Sequence, residues 1–233
     1  AALALGPGAR LSCDKLNGCS LLSLQALHMT CTGPMSEPPV SISSGARVAM
    51  VHSTVSGCSS LTSGGFLRVS AGSSASISSC TFDKTHSLGS GGAIVSENSV
   101  LEISHSTFRQ CTAGQHGGAL LSSSTLVVDA SSFVECSADG EGGAIASIDG
   151  ANISVADSPF DHCWSRLGGG ALTVRGSLNL LACTFSQCAS DGPGGAIRVA
   201  ETYRVLSIVP SSITAVEATW TNCTSLQNGG AVS

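Results

Sequence analysis

Eleven cysteines, six histidines and fifteen Asp or Glu are the side chains of this 233-residue chain with the means to do chemistry. No Cys-x2-Cys pair suggests zinc or thioredoxin-like redox chemistry. The histidines (His28, His52, His86, His105, His116 and His162) form no His-x3-His pair and no Ser-His-Asp spacing of a hydrolase. Gly-Gly pairs recur, but no Lys-Ser or Lys-Thr follows them as a phosphate loop requires. Asp139, Glu141 and Asp191 fall in equivalent loops and are the best placed for a cation or glycan contact. Solvated turn residues are the plainer reading, because Asp favours turns. Trp164 breaks the local pattern and could stack a sugar ring or a partner if exposed; a buried corner residue is the other reading. Asn152-Ile153-Ser154 and Asn222-Cys223-Thr224 are glycosylation sequons, meaningful in a eukaryotic secretory route.

The setting narrows these readings. Only 11% of residues are charged and the net charge is −5, so no basic patch is available and a nucleic-acid partner is excluded. Hydrophobic residues make up 42% of the chain, enough to bury a core, which excludes disorder. No apolar run approaches the roughly 18 residues of a membrane span. The start, Ala1-Ala2-Leu3-Ala4-Leu5, reads as a processed terminus or the trimmed edge of a longer chain. Cysteine usage this high points to an extracellular, disulfide-bearing protein. Buried free thiols acting as small hydrophobes are the alternative.

A repeat must position these residues. Gly-Gly pairs begin at Gly64, Gly91, Gly117, Gly142, Gly169, Gly194 and Gly229, in steps of 27, 26, 25, 27, 25 and 35 residues. Six residues before them stand Cys58, Thr85, Cys111, Cys136, Cys163, Cys188 and Cys223. Three residues earlier come Val55, Phe82, Phe108, Phe133, Phe160, Phe185 and Trp220. Counting back seven and five from each aromatic gives two apolar columns, Val48 to Ile213 and Met50 to Ala215. A spacing of two puts both on one strand face. A third apolar column, Leu67 to Val232, follows the Gly-Gly pairs. No helical period is sustained.

Short strands recurring every 25 to 27 residues predict an all-β fold: a right-handed parallel β-helix of about seven to eight coils. The Gly-Gly pairs are expected to let successive backbones approach and to supply positive φ at a tight corner. Residues 40–233 carry the repeats. Residues 1–39, with Cys13, Cys19, Cys31 and the strand-breaking Pro34, Pro38 and Pro39, are expected to be an atypical N-terminal cap or degenerate coils. The repeat stops in mid-coil at Ser233, so the β-helix is expected to continue beyond it.

The Gly-Gly-Ala-Ile segments at Gly91–Ile94, Gly142–Ile145 and Gly194–Ile197, alternating with Phe-x2-Cys, resemble the Gly-Gly-Ala-Ile/Phe-x2-Asn repeats of the chlamydial polymorphic outer-membrane proteins. The resemblance covers roughly residues 40–233 and implies a pectin-lyase-like β-helix passenger with an adhesive role. The family's Asn is Cys in six of seven units here, the pattern of a disulfide-bearing relative or of a separate secreted β-helix.

Equivalent positions on adjacent coils lie within disulfide reach. A plain vertical ladder would strand Cys58 beneath Thr85, whereas Cys80 and Cys183 form a minor column two residues before the aromatic. The expected pairs are therefore Cys58–Cys80, Cys111–Cys136, Cys163–Cys183 and Cys188–Cys223, although sequence alone leaves other connectivities open. Carboxylates do not stack in the columns three before and two after the aromatics, so no lyase or hydrolase face is expected. A Thr ladder suited to ice (Thr81, Thr107, Ser132, Pro159, Thr184, Thr219) is interrupted by Pro159. The function expected is a secreted or cell-surface structural or adhesive segment, without cofactor. It would associate with itself, other surface proteins or glycans. The alternative is a carbohydrate-active β-helix enzyme whose site lies outside these repeats.

Overall fold

The computed structural model describes residues 2–5, 11–14, 18–148, 150–200, 202–204, 207–209 and 211–233. Among them every regular element is a strand. One coil shows the plan: strands Leu120–Ser122, Thr125–Asp129, Ser132–Val134 and Ser137–Ala138 follow Gly117-Gly118 in turn. Corresponding strands of successive coils pair in parallel, giving one sheet of nine strands and three of eight. The columns counted in the sequence are the register of these sheets. Phe82, Phe108, Phe133, Phe160, Phe185 and Trp220 are successive partners. The chain is a parallel β-helix, and the repeats are its coils.

The core runs along the axis. From Phe82 to Phe185 the rings stack face to face with centroids 4.8–5.0 Å apart, the spacing of neighbouring strands. Each ring is buried, which stabilises by roughly 2–3 kcal/mol by area. Leu101, Leu126, Ile153 and Leu178 fill one interior column, and Ile94, Leu120, Ile145 and Leu172 another. Below Phe82 the aromatic column passes to Val55 and Met29. Phe66, in the corner just before the strand Leu67–Ser70, is buried with its ring 6.0 Å from that of Phe82. The strands Leu21–Gln25, His28–Cys31 and Pro34–Met35 pair in register with the next coil, so residues 21–35 belong to the stack.

Corners are set by backbone conformation. Gly117 has φ +66°, and a Cβ on Gly118 would lie 2.0 Å from the Gly143 carbonyl oxygen one coil on. The first glycine of each pair is thus needed for its φ, and the second, from Gly65 to Gly195, for close approach. Two further corners are left-handed without glycine: His105, Ala130 and Asp157 at φ 43–50°, and Gln110, Glu135 and His162 at φ 51–54°. Each costs about 1–2 kcal/mol, offset by ladder bonds such as Ala130 N–H to Ala156 O at 3.1 Å. These are the two columns in which the sequence shows no stacked acids. The 35-residue step holds an antiparallel hairpin, Thr202–Arg204 with Ser207–Val209.

Candidate functional site

Two of the predicted site columns turn out to be different kinds of corner. Two residues before the aromatic, Ser53, Ser106, Ser131 and Ser158 are buried. Each hydroxyl donates to the carbonyl two residues earlier, as Ser131 to Asp129 at 2.7 Å. Each also accepts an N–H from the coil below, as from Ser106 N at 3.0 Å. Cys80 and Cys183 occupy the same position, with their thiols 3.2 and 3.4 Å from the Ser78 and Leu181 carbonyls. They are sulfur substitutes in a serine ladder. Burial pushes both thiols up in pKa.

Cys58 is bonded to Cys31, with Cα atoms 4.7 Å apart, which corrects the expected Cys58–Cys80 pair. Cys31 stands two residues after Met29 instead of three, so the column spacing hid it. The Cys163–Cys183 pair is corrected too: Cys163 stacks between Cys136 and Cys188, while Cys183 lies in the serine ladder. Cys19 is also in a disulfide. Above Thr85 the column holds Cys111, Cys136, Cys163, Cys188 and Cys223 as free thiols. The first three have pKa values raised well above the ordinary range, chiefly by burial.

Among the described residues Glu141 is the one buried carboxylate. It was expected in a solvated turn; instead its turn folds onto the outer face of the post-glycine sheet. The outward column there runs Val95, Leu121, Ala146, Thr173 and Arg198, and its first three members are buried under such turns. Arg198 reaches back two coils to Glu141 Oε1 at 2.5 Å and also donates to Leu167 O at 3.1 Å. Arg175 Nη1 lies 2.6 Å from Glu141 Oε2, as a charge contact without directed hydrogen-bond geometry. The backbone N–H of Glu141 donates to His116 Nδ1 at 3.1 Å. Burial lowers the His116 pKa; Glu141 opposes this and Arg175 reinforces it. The cluster spans four coils and has a carboxylate neutralised by two guanidinium groups. Neither arginine stood out in the sequence; the available signal was the charge of Arg198 in an outward column that is apolar from Val95 to Ala146.

The remaining candidates lie apart. Asp139 pairs with Arg166 at 2.8 Å, both exposed, and Asp191 sits in the equivalent loop two coils on. No group of three or more potential metal ligands occurs among the described residues. Trp164 does not break register: it is half-buried, outward-facing and paired with Ser137 and Ala189. Asn152 and Asn222 are exposed, and Asn152 Oδ1 accepts from Ser177 at 2.6 Å. Ser132 bonds Thr107 at 3.2 Å, but Pro159 has no ladder partner at Ser132. On the outer face of the long-strand sheet, a groove of about 380 Å³ is lined by Leu21, Arg47, Ala49, Ser76, Val100 and Glu102 among others. No pair of carboxylates and no histidine lines it.

A family model described as a right handed beta helix region matches residues 69–232. The match spans more than two thirds of the chain, which therefore belongs to the right-handed β-helix family. Neither a curated protein nor a solved structure matches it.

Proposed function

We propose that this chain is an extracellular structural or adhesive segment of a larger surface or filament-forming protein, acting as a scaffold and not as an enzyme. The observation that carries the reading is the state of its carboxylates. The buried one is clamped by two arginines, and the groove presents one acid and one arginine, two coils apart, over a floor of Ala and Ser. That arrangement can hold a polar ligand, but it lacks the second carboxylate that polysaccharide hydrolysis uses. The Cys31–Cys58 disulfide supports an oxidising compartment. The Gly-Gly-Ala-Ile and Phe-x2-Cys repeats support kinship with chlamydial adhesive passengers.

The test joins binding to cleavage. Purified chain is incubated with acidic polysaccharides, with and without calcium, and then presented on a glycan array. Glycan retention that weakens at least tenfold in the Arg47→Ser, Glu102→Ser double variant, with no shortened or unsaturated products, is the expected result. Cleavage products would overturn the scaffold reading in favour of a carbohydrate-active enzyme. Retention unchanged in the double variant would remove the groove from it.

A further inference from the structure

The column that begins with the Cys31–Cys58 disulfide continues, above Thr85, as five thiols in a row. The disulfide joins neighbouring coils at a Cα separation of 4.7 Å, inside the window such bonds need. Rings three residues before the thiols stack at 4.8–5.0 Å from Phe108 to Phe185 and at 6.0 Å between Phe185 and Trp220, and the strands on either side of Cys188 and Cys223 pair in register. All five sulfurs share one environment. Each lies 3.5–3.7 Å from the carbonyl two residues back and from the carbonyl of the aromatic one coil below. Each sulfur also interacts with the next. Thr85 ends the run by donating its hydroxyl to the Cys111 sulfur at 3.2 Å.

We infer that this run is an oxidisable staple that takes up two inter-coil disulfides. One is Cys188–Cys223, the other is made by Cys136, and a single thiol is left at Cys111 or Cys163. Five thiols in line form at most two adjacent pairs. Cys223 is half-buried while the other four are buried, so it is the sulfur a small-molecule disulfide reaches. Cys188 and burial hold the Cys223 thiol up in pKa, so it first passes its proton to the neighbouring Cys188 sulfur. The Cys223 sulfur then attacks one sulfur of glutathione disulfide, giving a mixed disulfide and one glutathione thiolate, which takes up a proton. Cys188 then attacks the Cys223 sulfur and expels the second glutathione. Two protein thiols are oxidised, and one disulfide is reduced to two thiols. The thiols of Cys163 and Cys223 flank Cys188 and favour its thiolate, lowering its pKa. Once Cys188 and Cys223 are joined, Cys136 belongs to either adjacent pair that remains. That second pair closes by the same exchange while the coils assemble and the sulfurs are still open to glutathione disulfide.

The reduced 233-residue chain is refolded in a glutathione redox buffer, quenched in acid, alkylated and mapped without reduction. The expected map holds Cys31–Cys58, Cys188–Cys223, one disulfide containing Cys136 and one alkylated column thiol, with Cys80 and Cys183 alkylated. Cys188→Ser is expected to cut the column's disulfides from two to one and to leave Cys223 alkylated, whereas Cys80→Ser leaves two. Folded chain that carries Cys31–Cys58 and a reduced column, exposed to glutathione disulfide, is expected to lose two column thiols first, at Cys188 and Cys223, which keeps the proposal testable if a variant does not fold. Five alkylated column thiols in a chain that has formed Cys31–Cys58 would overturn it. So would a first pair among the five column thiols other than Cys188–Cys223, or a bond from Cys80 or Cys183 into the column.

Discussion

Cys80 and Ser106 occupy the same corner of neighbouring coils, and the Cys80 N–H donates to the Ser106 hydroxyl at 3.1 Å. That contact makes Cys80 a member of a serine ladder, so Cys80→Ser and Cys183→Ser are expected to change stability by less than about 0.5 kcal/mol. Ser131→Ala removes both an acceptor for Ser106 N–H and a donor to Asp129 O, and should cost about 1–3 kcal/mol. Urea unfolding of the three variants separates the cases. A Cys80→Ser loss as large as that of Ser131→Ala would show that the sulfur does something the ladder does not require.

The aromatic stack should respond to truncation as a core. Phe133 lies between Phe108 and Phe160, with centroids at 5.0 and 4.8 Å. Phe133→Ala opens a cavity bounded by rigid ladders and is expected to cost about 3–5 kcal/mol. Phe133→Leu should cost less than half of that, because it refills most of the volume. Equal losses in chemical denaturation would argue that ring stacking, and not burial, sets the value.

Features fixed by a local steric demand were readable without the structure. Gly-Gly and Phe recur at constant spacing because each coil places a backbone contact and a ring on its neighbour, and one residue type meets each demand best. Cys31 was hidden because its coil reaches the column one residue early, and Met29 replaces the aromatic from which the spacing is counted. The Glu141 cluster was illegible for another reason. Arg198 is 57 residues from Glu141 in sequence, and their contact depends on a turn folding over an outer sheet face, which periodicity does not encode. The non-glycine left-handed corners were likewise invisible, since Ala130, Glu135 and His162 carry no conformational signature.

Close approach at the second glycine is the strictest of these demands. A Cβ on Gly118 meets the Gly143 carbonyl oxygen at 2.0 Å and the Ser137 carbonyl oxygen at 2.5 Å, both backbone atoms that cannot rotate away. Gly118→Ala is expected to destabilise by more than about 4 kcal/mol or to prevent folding. Gly230→Ala, whose Cβ meets nothing within 4 Å, serves as the control. Comparable thermal unfolding of the two variants would contradict the close-packed corner.

Removing the carboxylate of the four-coil cluster leaves two guanidinium groups facing each other. Arg175 and Arg198 are 27% and 28% exposed, so solvent relieves part of the penalty. Glu141→Ala is expected to cost about 2 kcal/mol, below the range for a fully buried pair. Adding Arg198→Ala should restore part of the loss, a non-additivity that a double-mutant cycle measures directly. Strict additivity would mean that the 2.5 Å contact contributes nothing.

His116 couples this cluster to pH. Its Nδ1 accepts the Glu141 N–H at 3.1 Å, which requires the neutral ring with its proton on Nε2. Burial is the largest cause of its lowered pKa, so the folded chain binds this proton less readily than the unfolded chain. The sign follows from linkage: His116 contributes fully above the ordinary histidine pKa of about 6.5, and the contribution is lost as pH falls toward and through the lower folded value. His116→Asn offers a carbonyl oxygen near the same place and does not titrate. Thermal unfolding from about pH 7.5 to about pH 5 should therefore show a steeper loss of Tm in the native chain than in His116→Asn. The carboxylates that titrate over this range are common to both chains and cancel in the comparison. Parallel Tm profiles would show that the imidazole stays neutral or titrates alike in both states, and that its hydrogen bond to Glu141 does not govern the acid limb.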